Sequence, residues 1–513
     1  MPRFIDYDYN QTVLLPIAFE NQILPGTFEH TIHYLVDNVL DLSIFDSKFK
    51  NAETGRPAYD PAILLKVVLL AYSRGITQSR KIEALCRENV IFMAISADSR
   101  PHFTTIANFI SDSPKQIAAL FQQVLLTCGK MGLLGKEMFA IDGCKMPSNA
   151  SKEWSGTRQN LRRKAEKIDR AVRFLLKRHR EEDSREVPEP SRRQREEQQV
   201  EKLQAVSRKI KEFLDENEER VGRSGKEVQS NITDNESAKM KTSKGVIQGY
   251  VGVAAVDSKH QVVVSAEAFG QGQEHGLLEP LIEQIAETFK KDEEPPLAEA
   301  KILADSGFCN QDTLEYLEKK QINGYIADHA FRSRDPRFKD AGDHKPKTGS
   351  SAKVKTRYTS EDFQVDLDNH SCTCPAGKAM WLKCQEAKIS GNIFMQFQGH
   401  QADCAACSER SKCLRNVKQA GARQVNIKIG TYETEKTGAL QRMREKIDEK
   451  LGRHIYSMRL GIVEPVFGHL TDAIGIKRFT LRGKEKVNGQ WQLMTMLHNL
   501  TKIHRFAPNH GVI

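Results

Sequence analysis

Residues 156–229 constrain the fold more than any other part of this chain. They are rich in Arg, Lys, Glu and Gln, and their only aromatic residues are Phe174 and Phe213. Leu161, Ala165, Ile168, Val172 and Leu175 recur at 4-3-4-3 spacing, and Leu203, Val206, Ile210 and Phe213 at 3-4-3. Pro188 and Pro190 lie between the two runs. The pattern predicts an antiparallel helical hairpin zipped by one apolar stripe on each arm. Its charged faces read most simply as solvated, with contact to DNA or a partner as the sharper alternative. Strand-like patterns stand on both sides, MFAIDGCKMP at 138–147 and VIQGYVGVAAVDSKHQVVVSAEAFG at 246–270. Any sheet must therefore be assembled across the hairpin.

The remaining patterns fill in around that break. Residues 1–134 read as helical. Asp60-Pro61 supplies an N-cap and a first-turn proline for a helix that ends near Gly75. A short helix over Ser79–Asn89 follows, and Thr104 and Thr105 are expected to cap another through Leu126. Several short helices in a basic protein fit either a helix-turn-helix-like DNA reader or plain helical packing. Asp257 to His260 reads as a hairpin turn. A helix near Leu277–Lys290, a strand at Lys301–Ala304, a helix at Asp312–Lys320 and a strand at Gly324–Ala327 then predict a mixed α/β sheet. Residues 331–430 are polar and cysteine-bearing, with short strands expected near Phe363–Leu367 and Gln424–Ile429. From Thr431 onward the chain reads as helical again.

With 513 residues, 39% of them apolar, the chain has room for several domains of roughly 100–200 residues. A net charge of +10 points to a polyanionic partner, nucleic acid first. The apolar stretch Ala62–Tyr72 is short and interrupted by Lys66, whereas a membrane span needs ~20 apolar residues; no membrane partner is expected. The opening MPRFIDYDYN lacks the apolar core of a signal peptide. These features imply a cytoplasmic location and reduced cysteines. Six of the ten cysteines fall between Cys372 and Cys413, and such crowding in a reducing compartment favours metal over disulfides.

Asp142 and Asp305 each follow a short apolar run and stand just before a glycine or one residue from it. Acids at strand ends can converge at the rim of a sheet. Glu464 lies in the largely apolar helical stretch YSMRLGIVEPVFGHL. Hard, anionic, bridging carboxylates are what paired divalent ions need for phosphodiester chemistry.

These segments resemble the DDE transposases of bacterial insertion sequences with an RNase H-like core. GRPAYDPAILLKVVLLAYSRGITQSRKIEALCRENVIFMAI and HFTTIANF resemble the family's N-terminal helical domain. FAIDGCKMPSNAS resembles its first-acid motif, ILADSGFCN its second, and VEPVFGHL, followed by IKRFTLRG, its glutamate motif. The resemblance implies an RNase H-like α/β sheet behind an all-α N-terminal domain. The expected segments are a DNA-binding helical domain at 1–134, core at 135–155, hairpin at 156–229, core at 230–330, a Cys-rich insertion at 331–430 and C-terminal helical core at 431–513. It further implies that Asp142, Asp305 and Glu464 hold two Mg²⁺ ions, which Mn²⁺ could replace. Water would then cut at the element's ends, and the freed 3′-hydroxyl would attack target DNA. Double-stranded DNA at element ends and target is the implied partner, bound near the nucleoid by a homodimer or larger assembly. A non-catalytic DNA-binding derivative and a nuclease without strand transfer are the alternatives.

Tyr456, Arg459 and Lys477 are the nearest matches to the family's Tyr, Arg and Lys around the glutamate, expected to touch DNA. Four residues separate Arg459 from Glu464 where the usual signature has three. On a helix that extra residue turns Glu464 by about 100°. Pro465 follows at once and is expected to bend the helix. Among the cysteines, Cys404-x-x-Cys407 can place two thiolates on one ion. Cys374 and Cys413 complete the set preferred here, because CPAGK followed by CxxC and a later Cys resembles a motif of this transposase branch. A structural Zn²⁺ is expected there, with Cys372 or Cys384 as substitutes and free thiols as the alternative. Cys86, Cys128, Cys144 and Cys309 read as buried packing residues. His275 is expected to cap or hydrogen-bond near the start of a helix, with contact to metal or DNA as the alternative.

Overall fold

The computed structural model describes residues 18–49, 57–182, 190–222, 225, 227–290, 297, 299–336, 357–389, 392–414, 421–431 and 438–506. Pro188 lies outside them. The chain divides into two compact units, residues 1–329 with 449–513, and residues 330–448.

The first unit opens with six helices: α1 (Phe28–Asn38), α2 (Pro61–Ser73), α3 (Ser79–Glu88), α4 (Val90–Ile95), α5 (Phe103–Ser111) and α6 (Pro114–Lys130). The Asp60 carboxylate accepts the Ala62 N–H at 2.7 Å and Pro61 takes the first helical position. Every residue from Leu64 to Tyr72 is buried, so α2 is an interior helix with no solvent stripe. Lys66 is among them, and its ammonium is neutralised by Asp37 at 2.9 Å. The single helix expected through Leu126 is in fact two. His102, not a threonine, caps α5, its Nδ1 accepting the Thr104 N–H at 3.4 Å. Pro114 forces the break: it has no N–H to donate and keeps its predecessor out of helical geometry, but it suits the first turn of α6.

Next come β1 (Met138–Pro147), β2 (Ser155–Gly156), α7 (Arg158–Glu182), α8 (Pro190–Glu216) and β3 (Ser230–Asn231). Strands β2 and β3 pair at the base of the hairpin. Leu161, Ala165, Ile210 and Leu214 form its core, with Trp154, Ile168, Val206 and Phe213 packed against them. Asp169 on α7 accepts from Ser207 and Lys211 on α8, which fixes the antiparallel register. The stripes expected from spacing are thus the seam of the hairpin.

Strands β4 (Ala238–Thr242), β5 (Gly245–Asp257), β6 (Val263–Phe269), β7 (Lys301–Ala304) and β8 (Asn323–Ile326) alternate with α9 (Leu278–Lys290) and α10 (Gln311–Lys319). The main sheet runs β4-β5-β1-β7-β8, with β6 also on β5. Strands β1, β7 and β8 are parallel neighbours, and β4, β1 and β6 pair with β5 antiparallel. Strand β1 pairs with β5 from Phe139 to Pro147 but with β7 only from Met138 to Ile141. Beyond Ile141 it outruns β7 and leaves a notch at the sheet's edge.

The second unit contains α11 (Phe331–Arg334), β9 (Gln364–Asp366), β10 (Ser371–Thr373), β11 (Ala379–Ile389), β12 (Asn392–Gln398), α12 (Gln401–Ala405), α13 (Arg410–Cys413), β13 (Gln424–Thr431) and α14 (Ala439–Asp448). Its sheet runs β13-β12-β11-β10-β9. Its core is small: Phe363, Cys372, Met380, Met395, Phe397 and Val425.

The first unit resumes with α15 (Lys450–Gly468), a π turn at His469–Ala473, and α16 (Lys484–Phe506). Helix α16 packs on α6 and β6 and also meets α1, α2 and α5. Trp491 is buried and its indole N–H donates to the Val253 carbonyl at 2.9 Å. Gly252 makes room for that ring, since a Cβ there would lie 2.9 Å from it. No described helix is long and apolar enough to cross a membrane.

Candidate active site

The parallel ladder of β1 and β7 ends at the pair Ile141–Ala304. The next residue on each strand is an aspartate, so Asp142 and Asp305 emerge side by side at the notch. The Asp142 carboxylate accepts the Gly143 N–H at 2.8 Å. Asp305 caps the turn Ser306–Phe308 by accepting from the Gly307 N–H.

A third carboxylate enters from the loop between β6 and α9. The Glu274 carboxyl lies against both glycines that follow the aspartates. A Cβ on Gly307 would sit 2.1 Å from its Oε2, and one on Gly143 3.0 Å from its Oε1. Asp142, Glu274 and Asp305 line one open trough, with Lys145 and Lys241 beside them. Burial, then the charges of Asp305 and Asp142, push the Glu274 carboxyl up to about 7. Burial also raises Asp142, with Asp305 acting in the same direction and Arg459 pulling against it.

Arg459, on α15, is only 8% exposed. Its Nη1 donates to Asp142 Oδ2 at 2.8 Å, while its Nε is buried with no hydrogen-bond partner. Burial is the largest single influence and opposes its charge, but Asp142, Tyr456 and Asp305 together outweigh it and favour the protonated guanidinium. The half-buried Tyr456 ring lies 6.0 Å from it.

Of the three acids expected from sequence, the structure brings Asp142 and Asp305 together at the trough, and Glu464 is not among the residues that line it. Glu464 is exposed on α15, five positions beyond Arg459 and so about 140° around the helix. Its neighbours Val463 and Val466 point into the core. It is not among the charges that dominate the field at Asp142 or Glu274. Pro465 lies within α15, and the π turn begins four residues later. Lys477 is exposed beyond that turn. His275 Nδ1 is buried with no partner, not engaged in the expected bond. Glu274 itself escaped the sequence reading because QGQEHG is a loop without periodicity. Its flanking glycines, Gly272 and Gly276, are the only local hint of a close approach.

In the second unit, Cys374, Cys404, Cys407 and Cys413 line one cavity of ≈ 30 Å³, about the space of one water or one ion. Burial first, then the other three thiols, push the Cys413 thiol up, against the pull of Arg423. Gly399 gives way to one of them: a Cβ there would lie 2.9 Å from Cys404 Sγ. Cys372 instead packs in the core, 3.8 Å from the Met380 sulfur, and Cys384 does not line the cavity. Cys86 and Cys128 are buried as expected, but Cys144 and Cys309 are only half-buried. Cys144 stands two residues from Asp142 because β1 runs on past it, and burial pushes its thiol up to about 11.

Among the described residues, no three His, Cys, Asp or Glu side chains are drawn together tightly enough to hold a metal ion as they stand. The donor chemistry nevertheless fits in both places. Carboxylates suit a hard divalent cation, and thiols suit zinc.

Residues 18–112 match the family described as transposase domain (DUF772). Residues 214–366 and 373–504 each match a family described as transposase DDE domain. A search of curated proteins and one of solved structures returned no significant match. Transposase domains matched in succession along one chain, with two aspartates adjacent at the end of a parallel strand pair, identify it: the protein belongs to the DDE transposases of insertion sequences.

Proposed function

We propose that the protein binds the ends of its DNA element, cuts them by metal-dependent phosphodiester chemistry, and joins the freed 3′-hydroxyl to target DNA. The observation that carries this reading is the adjacency of Asp142 and Asp305 where β1 outruns β7. The order β6-β5-β1-β7-β8, with β1, β7 and β8 parallel, supports an RNase H-like core.

Asp142 and Asp305 would hold Mg²⁺, or Mn²⁺ in its place, and the bound metal would supply an activated water and charge neutralisation at the leaving oxygen. The chain's own groups do the rest. Arg459 keeps the Asp142 carboxylate oriented through its bond at 2.8 Å. Lys145 and Lys241 edge the trough, where cations grip phosphates and fix the register of a duplex. Tyr456 offers a ring for a base to stack on. Lys477, exposed past the π turn, is a further phosphate contact. Glu464 keeps a place in this reading through its motif, VEPVFGHL, rather than through its position. Cys374, Cys404, Cys407 and Cys413 would take one structural Zn²⁺. The helices at 18–130 are the proposed DNA reader, and two ends to be cut call for a dimer or larger assembly on DNA.

Asp305→Asn tests the reading. It is expected to abolish Mg²⁺-dependent cleavage of an element-end duplex while leaving binding of that duplex measurable by gel shift. Cleavage retained by this variant would remove the metal site from the mechanism. Strand-transfer products with the unaltered protein separate a transposase from a nuclease of the same fold.

A further inference from the structure

We propose that Glu274 is a metal-binding carboxylate of this site, standing with Asp142 and Asp305 where sequence motifs place no acid. The inference rests on the metal reading above and deepens it.

Placement comes first. A Cβ on Gly307 would lie 2.1 Å from Glu274 Oε2 and 2.9 Å from Asp305 Oδ1, so those two carboxylates stand around one point, and Asp142 lines the same trough. The approach also depends on absent side chains. A Cβ at Gly307, 2.1 Å from Glu274 Oε2, could not coexist with the present carboxyl position.

Charge comes second. No ion pair or hydrogen bond to the Glu274 carboxylate is found among the described residues, and Lys145 and Arg459 act on it only through their fields. Three carboxylates face one buried guanidinium. A divalent cation would bring that set to neutrality, and buried charges are stable only when balanced. Arg459 supplies the independent sign of a ligand. It is more than nine-tenths buried and keeps an unpartnered Nε donor at the site. A buried guanidinium with a spare donor is suited to a phosphate oxygen, the group that a metal at these carboxylates would share.

The test is Mn²⁺ binding by the full-length chain without DNA, followed by calorimetry and electron paramagnetic resonance. Unaltered protein is compared with Glu274→Gln and Asp305→Asn, and thermal unfolding is recorded with and without Mn²⁺. Glu274→Gln is expected to weaken Mn²⁺ binding by about tenfold or more. It should also raise the unfolding temperature of the metal-free protein, because it removes one of three crowded carboxylates. An acid with a merely structural role would lower that temperature when replaced. Glu274→Gln binding Mn²⁺ as tightly as the unaltered protein, while Asp305→Asn binds it weakly, would overturn the role of Glu274 and leave the aspartates standing. Asp305→Asn binding Mn²⁺ normally would overturn the metal reading and this inference with it.

Discussion

The two donor clusters of this protein are built on opposite plans. The carboxylates at the sheet edge line an open trough and already hold a cation of the protein's own, Arg459 on Asp142 at 2.8 Å. The four thiols of the second unit line a cavity of ≈ 30 Å³ in a region whose apolar core is only a handful of side chains. Catalytic metal sites keep a position open for substrate, whereas structural ones are closed by protein ligands. On the proposed metal reading, the contrast separates a site that would exchange what it binds from one that would keep it. On the same reading it also predicts where stability resides: the trough sits on a large core, while the cysteine unit would draw on a bound zinc to make up for what its core lacks.

The largest expected effect breaks the comparison on the thiol side. Cys407→Ser, or strong chelation, should release about one zinc per chain and unfold residues 330–448, since structural zinc contributes on the order of 10 kcal/mol. Proteolysis of that segment, with the remainder resistant, is the measurement; an intact segment free of zinc would make the cysteines ordinary packing residues. A smaller effect is expected on the acid side. Arg459→Gln strands a buried carboxylate, and the metal-free protein should lose about 3 kcal/mol in denaturant unfolding. Saturating Mn²⁺ should restore most of that loss, because the ion replaces the missing cation. No recovery with Mn²⁺ would mean that the arginine is a fixed strut. The smallest effects sharpen the parallel between the sites, because each has a glycine that makes way for a ligand. Gly307→Ala displaces the Glu274 carboxyl and crowds Asp305 Oδ1, and Gly399→Ala displaces the Cys404 thiol. Each should cost no more than about 1 kcal/mol of stability, since the displaced atom ends a side chain that can turn aside. Each should nevertheless weaken its own metal by about tenfold and leave the other's affinity unchanged.

Much of this arrangement could be read from residue patterns, and the exceptions share a cause. Leu161, Ala165 and Ile210 lie on the seam because helical periodicity is a local property that survives any tertiary context, whereas Leu214 rather than the expected Phe213 fills its core. Asp142 and Asp305 could be placed at a sheet rim because each ends an apolar run. What stayed hidden depends on what comes near from elsewhere in the chain. Glu274 lies in a glycine-flanked loop, and only the parallel pairing of β1 with β7 shows that this loop closes on the aspartates. The break between α5 and α6 was missed for a smaller reason. The apolar pattern continues across Asp112 and Ser113, and only Pro114 marks the break. Glu464 rests on its motif alone: it is exposed on α15, while Val463 and Val466 beside it are buried.

Helix α16 carries a consequence for how the molecule comes into being. It is the last described helix, yet it packs on β6 and on four helices of the N-terminal region, and Trp491 fills the space above Gly252. During synthesis the sheet and the first helices must wait, with apolar faces uncovered, until residues 484–506 emerge. A truncated product that retains the whole N-terminal region would be left without the interior of that region, and would be an aggregating chain rather than a free DNA-binding fragment competing for the element's ends.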